Sequence, residues 1–142
     1  DAPVEPGFSR RATFLVAFFG GPFAALLFQA WNARLWGRLA RDLPLVIAAA
    51  LVTAASLMAL GAWSQELQES GFSAGNLRIL PRLLAFLVWG VLMLQHRALH
   101  RAQELSDLSP RSPWLPGAVC VAVSGAVTIA LVSAGRLLRE LA

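Results

Sequence analysis

The sequence predicts an all-α integral membrane protein, a small helical bundle of four hydrophobic segments with the first broken at Gly20-Gly21-Pro22. Three observations predict it. Uncharged runs cover residues 12–33, 43–65, 83–95 and 112–135, and a run of about 20 apolar residues is long enough to cross a bilayer as a helix. The chain is 57% hydrophobic and 14% charged, which excludes both an ordinary soluble domain and a disordered tail. The polar stretches between the runs are too short to fold a core of their own, so residues 1–142 read as a single transmembrane domain.

Residues 1–11 read as a linker, with two prolines and a glycine before Arg10-Arg11. The chain begins at Asp1, which predicts a processed product or a piece of a longer protein. Segment one covers about 12–40. Proline lacks an amide hydrogen and glycine resists no break, so two pieces are expected, 12–19 and 22–39. The second piece is expected to continue as an interfacial amphipathic helix, with Arg34, Arg38 and Arg41 on one stripe and Trp31 at headgroup depth.

Segment two covers about 43–65. Asp42 is its expected N-cap, Pro44 lies in its first turn, and the helix is expected to run on to Ser70 and stop at Gly71. Segment three, about 79–100, has only thirteen uncharged residues and spans if Arg82 and His96 snorkel outward. Pro81 fits its first turn, and a polar helical stretch through Asp107 follows until Pro110 and Pro113 end it. Segment four, about 113–135, carries Gly117, Ser124, Gly125 and Thr128 as a small, weakly polar packing surface.

Arginine positions bear on topology. Four full spans put six arginines on each side. If segment one instead dips into the bilayer and returns, Arg10, Arg11, Arg34, Arg38, Arg41, Arg97, Arg101 and Arg111 share one side, eight against four. Cytoplasmic loops carry such an excess, which favours a re-entrant hairpin plus three spans over four spans.

The first third of the chain resembles a family of uncharacterised bacterial multi-pass membrane proteins with a Gly-Gly-Pro-Leu-Ala-type first segment. Phe8-Ser9-Arg10, then Gly20-Gly21-Pro22-Phe23-Ala24, then Asn32 and Gly37 line up with that family's pattern. The chain departs from it at Ala25-Leu26-Leu27, where the family has small residues. The resemblance implies a fold and no activity.

Candidate chemistry is sparse. His96 and His100 lie at i and i+4, with Gln103, Glu104 and Asp107 continuing that face. His96, His100 and Glu104 are therefore the candidate ligands for a divalent metal, set against the plainer reading of interfacial polar residues at a helix end. Gly20, Gly21 and Pro22 could expose a half-helix N-terminus to an anion or headgroup, or simply kink the helix. Arg34, Arg38 and Arg41 are candidates for anionic lipid. Trp89 falls near mid-span, where packing explains it before cofactor stacking does.

The apolar runs contain no acid, which argues against a pump and against an enzyme. No basic run alternates with aromatics in a polar segment, so nucleic acid is not an expected partner. Cys120 is the single cysteine, so no intrachain disulfide forms. All twelve cations are arginine, which fits the codon usage of a GC-rich bacterial genome. The sequence thus predicts a non-enzymatic subunit of a bacterial inner-membrane assembly. Its expected partners are the bilayer, anionic lipids, and partner subunits or further copies. The competing reading is a lipid- or small-molecule-binding transporter or channel component built on the broken segment. No cofactor is predicted, with a divalent metal or a pigment as the two that the histidines leave open.

Overall fold

The computed structural model describes residues 6–106 and 109–141. Asp107, and residues 1–5 of the stretch read as a linker, lie outside the described residues. Five helices follow in order: α1 (Arg10–Leu35), α2 (Leu39–Ala62), α3 (Ser64–Glu69), α4 (Ala74–Leu105) and α5 (Trp114–Leu141). By length and composition, α1, α2, α4 and α5 could each cross a membrane.

The most buried of the four is α1. Ser9 starts it, its Oγ accepting from the Ala12 N–H at 3.2 Å. The backbone leaves helical geometry at Gly21, whose φ of 79° and ψ of −167° fall in a region that essentially only glycine occupies. Pro22, which has no amide hydrogen to lose, resumes the helix. The two arms, 10–20 and 22–35, fold back on each other. The Phe8 N–H donates to Asn32 Oδ1 at 2.7 Å, and the Phe8 and Phe28 rings stack with centroids 4.4 Å apart. In a straight helix, residues separated by that much sequence would stand roughly 36 Å apart.

Small residues let the arms close. Ala12, Val16, Ala24 and Phe28 form one buried cluster with Phe8 and with Cys120 of α5. Ala17, Ala25 and Leu26 form a second with Val88 and Leu92 of α4, against which Ala49 and Ala50 of α2 pack. The hairpin is therefore the core, and the other long helices lean on it. Gly20 sits against Val121, where an added Cβ would collide.

α2 and α5 meet directly near their C-terminal ends. A Cβ on Gly61 would fall on the Val132 carbonyl, and one on Gly135 would fall on the Met58 carbonyl. Each glycine thus faces the carbonyl three residues before the other glycine, a close parallel crossing of the small-residue type. Arg139 pairs with Glu66 of α3 beyond that crossing. Consequently one end of the bundle holds both feet of the hairpin, the start of α2, the end of α4 and the start of α5. The opposite end holds α3, the start of α4 and the end of α5.

Several expected boundaries shift. The second arm does not continue to residue 39, because Gly37 turns the chain at φ +66° and α2 starts afresh at Leu39. Arg34 therefore does not share a helical stripe with Arg38 and Arg41. Arg38, not Asp42, occupies the N-cap of α2, and Pro44 lies inside the helix. The helix after Ala62 is interrupted at Trp63, and α3 is a separate element ending before Gly71 (φ +101°). α4 starts five residues earlier than expected because the Ser73 hydroxyl caps it, accepting from the Asn76 N–H at 3.2 Å. Pro81 is thereby an interior residue.

Overpacking the α2–α5 crossing tests this architecture. Gly61→Ala and Gly135→Ala are each expected to lower the unfolding free energy in detergent by about 1–3 kcal/mol. Gly90, whose Cβ would meet nothing within 4 Å, is the control, and Gly90→Ala is expected to be neutral or to stabilise by up to about 1 kcal/mol.

Candidate functional site

The hairpin's feet converge on a set of buried polar groups. Gly7 is held by the Gln103 side chain, which donates from Nε2 to the Gly7 carbonyl at 2.9 Å and accepts the Gly7 N–H at 3.2 Å. The Gly7 carbonyl also accepts from the Arg111 N–H at 3.3 Å. A side chain at position 7 would meet Asn32 Oδ1 and the Trp36 ring at 2.8 Å, which explains the glycine. Asn32 is fully buried and donates from Nδ2 toward Gln29 Oε1 at 3.5 Å. The entry strand, the returning arm, α4 and the chain ahead of α5 are thus tied at one level.

Beneath this level lies a carboxylate–imidazole pair. Asp42 and His96 are each 1% exposed, and His96 Nε2 stands 2.8 Å from Asp42 Oδ2. A carboxylate accepts, so Nε2 carries the hydrogen. Gln95 Nε2 donates to Asp42 Oδ1 at 3.1 Å, and the Arg38 guanidinium approaches Oδ2 at 3.8 Å. Asp42 is therefore satisfied from three directions, as a buried carboxylate must be. The Trp36 ring meets the imidazoles of His96 and His100 edge-on, with centroids 5.5 and 4.9 Å away. His96 Nδ1 and His100 Nε2 are buried with no hydrogen-bond partner.

The arrangement brings some predicted residues together and separates others. His96 and His100 share Trp36, but Glu104 turns away to pair with Arg10, Nε to Oε1 at 3.4 Å, on the exposed surface. Among the described residues no group of three His, Cys, Asp or Glu side chains stands close enough to hold a metal ion. Arg38 serves Asp42, while Arg34 and Arg41 are exposed on different helices. At the hairpin's turn, Gly20 and Pro22 are buried, and a Cβ on Gly21 would stand 3.8 Å from the Ser124 hydroxyl. Ser124 and Thr53 are fully buried, their hydroxyls without partners. Trp89 packs edge-on to Phe14 at 5.4 Å and donates from Nε1 to Thr13 Oγ1 at 3.3 Å, a use that needs no cofactor.

Sequence reasoning missed Asp42 as the partner of His96. An acid at the edge of an apolar run reads as a helix cap, and no local pattern ties it to a histidine 54 residues on. It also missed Asn32, which locks the hairpin from 24 residues away. The apolar runs hold no acid, but α2 begins before its run, so Asp42 lies inside that helix and is buried. Chemically, the site can orient an imidazole and join α1, α2 and α4 through charge and hydrogen bonds. Comparison with protein-family models, with curated proteins and with solved structures finds no match.

The pair can be tested as a unit. Asp42→Leu leaves the buried His96 without a partner and is expected to cost about 3 kcal/mol of detergent-phase stability. Adding His96→Leu is expected to recover most of that loss, because two apolar side chains replace two coupled polar ones. A double variant as unstable as the sum of the two singles means that the residues do not act together.

Proposed function

We propose that this chain is a non-enzymatic, multi-pass protein of the bacterial inner membrane, serving as a structural or interaction subunit of a larger assembly. In this reading α2, α4 and α5 span the bilayer and α1 is a re-entrant hairpin. Its arms are about 16 and 21 Å long at 1.5 Å per residue, each short of the roughly 30 Å hydrocarbon core. The end of the bundle that holds both hairpin feet carries eight of the twelve arginines, which makes it the cytoplasmic end.

One observation carries the subunit reading. A non-helical turn at membrane depth has to be shielded from lipid by protein. Gly21 is only half-buried, and next to it Phe19 is 72% exposed. Leu15 and Phe18 continue this open face of the first arm. The chain's own helices thus leave one side of the turn uncovered, and a neighbouring subunit or a second copy completes the shield.

The test is purification in mild detergent after photo-crosslinking in the membrane from a benzoylphenylalanine at position 19. The expected result is one crosslinked protein partner, or a second copy, present at fixed stoichiometry in the native complex. A lone chain that crosslinks only to lipid contradicts the reading.

A further inference from the structure

The end of the bundle opposite the hairpin's feet carries a feature that the shielding argument does not use. A cleft of about 260 Å³ opens among α2, α3, α4 and α5. Arg78 from the first turns of α4 and Arg136 from the end of α5 both line it, and Ser64 and Gln68 add polar atoms. Its floor is apolar, with Leu60, Pro81 and Val132. Among the described residues neither arginine makes an ion pair. Glu66 of α3 is taken by Arg139, and Arg136 does not pair with Glu140 one turn on. Both arginines are exposed at its rim, where an anionic group at this end of the bundle can meet them.

The cleft does not end at its floor. Leu60 and Pro81 also line an open apolar groove of about 440 Å³ between α2 and α4, bounded by Leu57, Leu84 and Trp63. An apolar recess rimmed by two arginines thus continues into an apolar groove along the helices. A free phosphate would use the first part and leave the second empty. A molecule with one anionic phosphodiester and a long alkyl chain fills both.

We infer that this cleft and groove bind an anionic phospholipid, its phosphate held by Arg78 and Arg136 and one acyl chain lying between α2 and α4. The site is separate from Arg34, Arg38 and Arg41, which lie at the other end of the bundle. The lipid bridges the start of α4 and the end of α5, which border the same cleft.

The inference rests on the membrane placement proposed above, and the two fail differently. A chain that does not float with liposomes overturns the placement, whereas lipid selectivity judges the site. The experiment is native mass spectrometry of the full chain in detergent, titrated with dioleoylphosphatidylglycerol or dioleoylphosphatidylcholine, with inorganic phosphate as a third arm. Phosphatidylglycerol is expected to be retained in preference to phosphatidylcholine, and millimolar phosphate is expected not to displace it. Arg78→Gln and Arg136→Gln are each expected to weaken retention roughly five-fold, a ratio set by about 1 kcal/mol per arginine. Leu84→Trp, which fills the groove, is expected to weaken retention with the arginines intact. Arg11→Gln and Arg41→Gln, exposed at the other end, are expected to leave it unchanged. Equal retention of the two lipids overturns the inference, as does full retention of phosphatidylglycerol by the Arg78→Gln/Arg136→Gln variant or by Leu84→Trp. Displacement by inorganic phosphate alone overturns it in favour of a simple anion site.

Discussion

The reversal of the backbone at Gly21 is the constraint on which the rest of the bundle depends. At φ 79° and ψ −167°, any residue with a Cβ is strained, and a straight helix in its place would carry Asn32 far from Phe8. Because the chain turns, Phe8, Phe28 and Asn32 meet, and the hairpin becomes a two-armed core. The remaining long helices then need little contact with one another. α5 takes one side through Cys120 and Val121, and α4 takes the other through Val88 and Leu92. Only α2 and α5 approach closely by themselves, at Gly61 and Gly135.

A hairpin that ends at mid-bundle needs anchoring at its feet, and the polar groups there supply it. Gln103 grips Gly7, Asn32 grips Phe8, and Asp42 gathers Arg38, Gln95 and His96. All of these but the local Arg38–Asp42 pair join segments distant in sequence, so the polar network fixes which helices lie beside the hairpin, while the apolar clusters fix how deeply it seats. Burial makes the network costly to break, since each lost partner leaves a desolvated group behind. Satisfaction is incomplete at His96 Nδ1 and His100 Nε2, and also at Gln29 Nε2 and Arg38 Nε, which are buried without a hydrogen-bond partner.

The sequence made the long helices legible because their signal is local: uncharged runs of helical length need no partner to be read. The break was legible for the same reason, since Gly20-Gly21-Pro22 states its conformational preference in three residues. The arginine stripe misled because i, i+4, i+7 spacing describes a helix only if the backbone stays helical, and Gly37 turns it. Pro44 and Pro81 misled in the same way: each suits a first turn, but the caps lie further upstream, at Arg38 and Ser73. The candidate site was the least legible part. His96 was visible as one of two histidines, whereas its partner Asp42 lies 54 residues away and looked like a cap. The Arg78–Arg136 cleft was invisible, because it joins the start of α4 to the end of α5.

The most direct measurement of the central claim is the sidedness of the two feet of α1. In a Cys120→Ser background, single cysteines at positions 11 and 34, both exposed at the feet of α1, would be labelled with a membrane-impermeant maleimide, in intact spheroplasts and in inverted vesicles. A hairpin predicts that both positions label from the same side, the side that also exposes Arg101. Labelling of the two positions from opposite sides would mean that α1 crosses the membrane, and would contradict the account.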